Sequence, residues 1–125
     1  MGELRYHEDV QNVPGGNLAM IVLDMELHPD QWQIPRDESG DYRALIVSKD
    51  DAVHLKRWIQ DLVETFINRF GAEFERIVAW DSIDRIGKIS YPYCLEVCVS
   101  RHRLQEAKGL LEAVLGRHFT LRKMN

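Results

Sequence analysis

Nine apolar residues, Ala52, Leu55, Trp58, Ile59, Leu62, Val63, Phe66, Ile67 and Phe70, recur at helical spacing, and this stretch constrains the fold more than any other feature of the chain. At 3.6 residues per turn they form one wide apolar stripe. Ser48 is placed to cap the helix by accepting a free amide three residues on, where Asp51 also suits the positive end of the helix dipole. Gly71 is placed to end it in the left-handed conformation. The reading is an amphipathic helix over 49–70, and such a helix needs an apolar surface to lie on.

Strands supply that surface. The run from Leu18 to Leu23 has a β-branched centre and follows the turn-forming Val13-Pro14-Gly15-Gly16, which marks a buried strand after a polar N-terminal segment. Residues 42–47 read as a second strand after a long connection over 28–41 that contains Pro29, Pro35 and Gly40. Residues 74–81 and 93–99 read as a hairpin around a turn at 84–88. Ser100 can cap a second helix, whose residues Leu104, Ala107, Leu110, Leu111, Val114 and Leu115 share one face before Gly116, and a short strand over 118–123 closes the chain.

From residue 42 onward this order is β-α-β-β-α-β. The expected fold class is therefore α+β: a ferredoxin-like split β-α-β sandwich, an antiparallel sheet with two helices on one face, preceded by an extra N-terminal strand. The 125 residues suit one domain spanning the whole chain, with 45% hydrophobic and 29% charged residues. A lone plait should keep its second sheet face polar, yet in both 18–23 and 42–47 the residues on either parity are apolar. Something beyond the two helices is expected to cover that face: the N-terminal segment, the 28–41 loop or another protein surface.

No apolar run approaches the ~20 residues that span a bilayer, and the N-terminus has neither a basic nor an apolar leader region, so the cytoplasm is the expected compartment. Cys94 and Cys98 are expected as buried, reduced thiols, too few for a structural zinc site. The net charge of −4 argues against nucleic-acid binding, but it is unevenly spread. Residues 1–100 hold ten Lys and Arg against eighteen Asp and Glu, whereas residues 101–125 hold six against two. An acidic body thus carries a basic end.

Three groups of residues bear on function. Asp24 and Glu26 lie two apart on a strand, a carboxylate pair of the kind that holds divalent cations in phosphodiester chemistry, although solvated carboxylates at a strand end are the simpler account of them. The five histidines show no ligand spacing, so no metal or cofactor is expected. Arg101 and Arg103, with His102 between them, crowd the start of the second helix, where cations oppose the dipole unless an anion or acidic partner sits among them. Trp32, in a polar loop bounded by prolines, is either a lid pinned to the core or an anchor for a partner.

No Ser-nucleophile motif or phosphate loop is present, and the segments 44–47 and 94–99 lack the aromatic residues an RNA-binding plait exposes. The leading expectation is a non-catalytic protein-interaction module, such as a small cytoplasmic inhibitor, adaptor or immunity-type protein, with a protein partner or a homodimer and with Trp32, Arg101 and Arg103 in the contact. A regulatory domain binding a small anion at Arg101, His102 and Arg103 is the first alternative. A metal-dependent phosphodiesterase or nuclease using Asp24 and Glu26 is the second.

Overall fold

The amphipathic stripe forms its helix, but later than its apolar spacing begins. In a computed structural model, which describes residues 2–32, 45–47, 55–81 and 92–125, helix α1 spans Arg57–Phe70. Lys56 is extended (φ −61°, ψ 148°) and gives no side-chain cap, so the described helix starts at Arg57 and leaves Leu55 of the stripe outside it. Ser48, Asp51 and Ala52 lie outside the described residues. At the other end Gly71 takes φ 55° and donates its amide to the Ile67 carbonyl, which is why a glycine stands there.

The N-terminal segment is a strand, β1 (Gly2–Asn12), and pairs antiparallel with β2 (Leu18–Glu26). Its polar composition hides a two-residue alternation: Leu4 and Tyr6 are buried, whereas Glu3 is exposed and Arg5 and His7 are half-buried. The hairpin closes with the Val13 amide donating to the Leu18 carbonyl (3.2 Å), and Gly15 supplies the positive φ of 81° that the turn requires.

The remaining elements are β3 (Leu45–Val47), β4 (Phe74–Asp81), β5 (Tyr93–Ser100), α2 (Leu104–Gly116) and β6 (Phe119–Lys123). The turn at 84–88 and most of the 28–41 connection lie outside the described residues. Ser100 makes no side-chain cap, because a 3-10 turn over Arg101–Arg103 intervenes before α2.

One six-stranded sheet runs in the order β3-β4-β5-β2-β1-β6. It is mixed, not antiparallel throughout, since β6 pairs parallel to β1. The plait expected from residue 42 would place β3 inside the sheet, but β3 is at its edge beside β4. The inner position belongs to β2, the run read as an extra strand, whose alternate residues are apolar in both directions as a doubly covered strand requires. The pairings make β2 and β4 parallel on either side of β5. They also make β5 and β6 parallel, with β2 and β1 between them.

Both helices bury their stripes in one cluster with Leu4, Tyr6, Ile21, Leu23, Met25, Ile77, Ala79, Leu95, Val97, Val99 and Phe119. Each such side chain taken wholly from water contributes about 1.5–3 kcal/mol. The opposite sheet face carries Met20, Val22 and Asp24 on β2, across from Cys98, Glu96 and Cys94 on β5. Val22, Cys94 and Cys98 are almost fully buried there, while Leu18, Met20 and Val78 are half-buried.

Candidate functional site

Of the two arginines at the start of the second helix, Arg103 has its anions within the chain. Arg103 donates from Nη1 to Glu73 Oε1 (2.7 Å) and from Nε to Glu106 Oε2 (3.0 Å), and its guanidinium lies over the Phe70 ring, 4.7 Å from the centroid. Glu106 stands in the first turn of α2, where a carboxylate favours the dipole that Arg103 opposes. Arg69 joins Glu106 from α1 at 3.0 Å, and His102 pairs with Glu73. The hydrogen bond from Arg103 holds the Glu106 carboxyl below its ordinary range against the opposing effect of burial, with a lesser contribution from the Arg69 bond. The same bonds to Glu106 and Glu73 raise Arg103.

Arg101 has a different role. Its Nη2 donates to the carbonyls of Gly16 (3.1 Å) and Leu18 (3.5 Å), and its amide donates to Asn17 (2.6 Å), so it ties the β1–β2 turn to the end of β5.

Most of the rest of the basic end is matched in the same way. Lys123 reaches Glu8 at 2.7 Å, Arg122 lies 4.0 Å from Glu3, and Arg117 and His118 meet Asp61. The uneven charge along the chain is therefore largely an internal complementarity, in which β6 and α2 return to the acidic body that precedes them.

Asp61 is the residue that sequence reasoning missed. It sits on the flank of the α1 stripe and accepts hydrogen bonds from Arg117 Nη1 at both carboxylate oxygens (3.1 and 3.2 Å) and from Thr65 Oγ1 (3.2 Å). His118 Nε2 lies 2.8 Å from its Oδ2. Burial alone would raise the Asp61 carboxyl, but the bonds from His118, Arg117 and Thr65 together hold it below the usual carboxylate range. With Asp61 ionised, Nε2 is the protonated nitrogen of His118. The only local signal in the sequence was Thr65 one turn after Asp61, since the partners Arg117 and His118 are more than fifty residues away.

Asp61, Arg117 and His118 line a groove of about 880 Å³ beside α1, together with Leu55, Arg57, Gln60 and Glu64. The volume is within the range of small-molecule sites.

Trp32 is 3% exposed, stacked 6.2 Å from Trp58 and tilted against Tyr93 at 4.7 Å between ring centroids. The Trp58 indole donates to the Gln31 carbonyl (2.7 Å), fastening the Pro29–Gln31 turn to α1. Trp32 thus takes the pinned position of the two that its loop allowed.

Asp24 and Glu26 share the sheet face away from the helices, with Glu26 3.6 Å from Arg5. Among the described residues no group of three or more His, Cys, Asp or Glu is arranged to hold a metal ion. Cys94 and Cys98 are buried and form no disulfide, and burial pushes the Cys98 thiol up. No helix among the described residues is long and apolar enough to cross a membrane.

Comparison of the chain with protein-family models, with curated proteins and with solved structures finds no match.

Proposed function

We propose that the chain is a non-catalytic protein-interaction module, in the manner of a small inhibitor, adaptor or immunity-type protein, and that its contact surface is the sheet face turned away from α1 and α2. The observation that carries this reading is the apolar content of that face, where Leu18, Met20 and Val78 remain half-buried around the closed Val22, Cys94 and Cys98. Polar residues flank them: Arg76 on the β4 side and Asp9 on the β1 side. A two-fold axis lying in the contact plane and parallel to the strands would bring the arginine side of one copy over the acidic side of another, so a second copy is the first occupant to test. The topology supports reading the scaffold as a ferredoxin-like plait that begins at β2, with β1 inserted between β2 and β6 and β3 added at the edge.

The two alternatives have less support. An anion at Arg101, His102 and Arg103 would compete with Glu73, Glu106 and the turn carbonyls that these residues already engage. A phosphodiesterase using Asp24 and Glu26 would need ligands beyond a pair whose second member faces Arg5. A magnesium or manganese site lost in both Asp24→Asn and Glu26→Gln would favour it.

Affinity capture with a tagged copy as bait tests the main reading. The tagged wild type is expected to retain an untagged copy and Met20→Arg is expected not to, while Glu112→Arg on the exposed side of α2 behaves as wild type. Equal retention by the wild type and Met20→Arg would reject the face as the contact surface.

A further inference from the structure

We infer that the groove beside the start of α1 is a binding site for a small phosphate-bearing metabolite, whose phosphate is held between Arg57 and Arg117. The inference is independent of the sheet-face reading, since the groove lies on the helical side of the molecule.

It starts from how thoroughly this protein matches its arginines. Among the described residues, Arg5, Arg69, Arg76, Arg103, Arg117 and Arg122 each lie within 4.0 Å of a carboxylate. Arg101 donates to two backbone carbonyls instead. Arg57 is the one described arginine with neither kind of partner, and it lines the groove. No carboxylate in the first turn of α1 offsets it, and Lys56 precedes it. An unmatched guanidinium on the wall of a groove is free to pair with an anion from outside the chain.

The opposite wall is already ordered to complete the site. Asp61 fixes Arg117 through Nη1 alone and fixes His118 through Nε2, leaving the other guanidinium donors of Arg117 outside that pair. A carboxylate that positions two cationic or polar groups reduces the entropy a ligand must remove when it binds them. Arg117 and the two further hydrogen-bonding groups on Asp61 offset its charge in part, so it repels an anion less than a bare carboxylate would. Further along the groove Gln60 donates to Glu64 at 3.4 Å, an acceptor-rich end suited to the hydroxyls of a phosphorylated polyol. The volume of about 880 Å³ has room for such a body as well as the phosphate.

The test is an NMR titration of the full chain with inorganic phosphate and with glycerol 3-phosphate, each against sodium chloride at equal ionic strength. Saturable shifts are expected at Arg57, Gln60, Arg117 and His118, with glycerol 3-phosphate tighter than inorganic phosphate. Arg57→Gln should weaken both by about tenfold or more. This exposed position carries the test, because Arg117→Gln would also loosen Asp61, and an unchanged spectrum elsewhere establishes that the variant is folded. Arg122→Gln should bind as wild type. Shifts that grow linearly and match those in chloride would overturn the site. So would saturable binding centred on Arg101–Arg103, or binding that survives Arg57→Gln.

Discussion

Replacing Phe66 probes whether α1 is the core of this fold. Phe66 is fully buried, with its ring centroid 5.3 Å from Phe70 and 5.9 Å from Phe74, so it joins the end of α1 to the first residue of β4. Truncation to alanine removes the whole ring from a closed site and should cost about 3–5 kcal/mol through lost transfer energy and the cavity left behind. Phe66→Leu keeps much of the volume and loses chiefly the two ring contacts, for about 1–2 kcal/mol. Against a total stability of about 5–15 kcal/mol, the alanine variant folds but becomes marginal. In urea, with a slope of about 2 kcal/mol per molar, its midpoint should fall by roughly 2 M at unchanged slope. A loss under about 1 kcal/mol, or equal losses for alanine and leucine, would refute the packing around this ring.

The Asp61 carboxyl is held below its ordinary value, so its bonds add stability above the unfolded carboxyl pKa of about 4 and lose it as pH falls through the lower folded value. Asp61→Asn should therefore destabilise at pH 7 and differ little from wild type in strong acid, as acid denaturation curves would reveal; a gap that persists there would contradict it. Gly109 lies inside α2, and a Cβ added to it meets nothing within 4 Å, so Gly109→Ala should raise stability by about 0.5–1 kcal/mol in denaturant melts, and a loss would show a hidden constraint. Arg103→Gln should lower the thermal midpoint at low salt and lose much of that effect at high salt, because Glu73 and Glu106 hold it near the surface; a salt-independent effect would instead assign its role to packing on Phe70.

The elements whose identity depends on near neighbours were legible in the chain. The β4 strand over 74–81, the paired strand from Tyr93 and the left-handed Gly71 follow from local periodicity and turn chemistry. β1 was missed because its core side is carried by only Leu4 and Tyr6 within a charged segment, a weak signal unless alternation is weighed above composition. Strand order was misread for another reason: whether residues 18–26 or 45–47 take the inner place depends on burial over both faces and on strand length, which tertiary pairing decides. The site residues divide similarly. The arginines at 101 and 103 were conspicuous by their conflict with a helix dipole, but the partners that resolve it, carboxylates at 73 and 106 for Arg103 and turn carbonyls at 16 and 18 for Arg101, come mostly from other elements. Asp61 with its partners at 117 and 118 has no sequence signature, because contact across more than fifty residues exists only after α1 and β6 have docked.

The most direct test of the interaction surface is the molar mass of the wild type by multi-angle light scattering from micromolar to millimolar concentration, alongside Met20→Arg. The apolar sheet face predicts a mass that climbs from that of one chain toward two as concentration rises, and a Met20→Arg variant that remains at one chain throughout. A wild type that stays at one chain to the highest concentration, or a Met20→Arg variant that associates equally well, would contradict it.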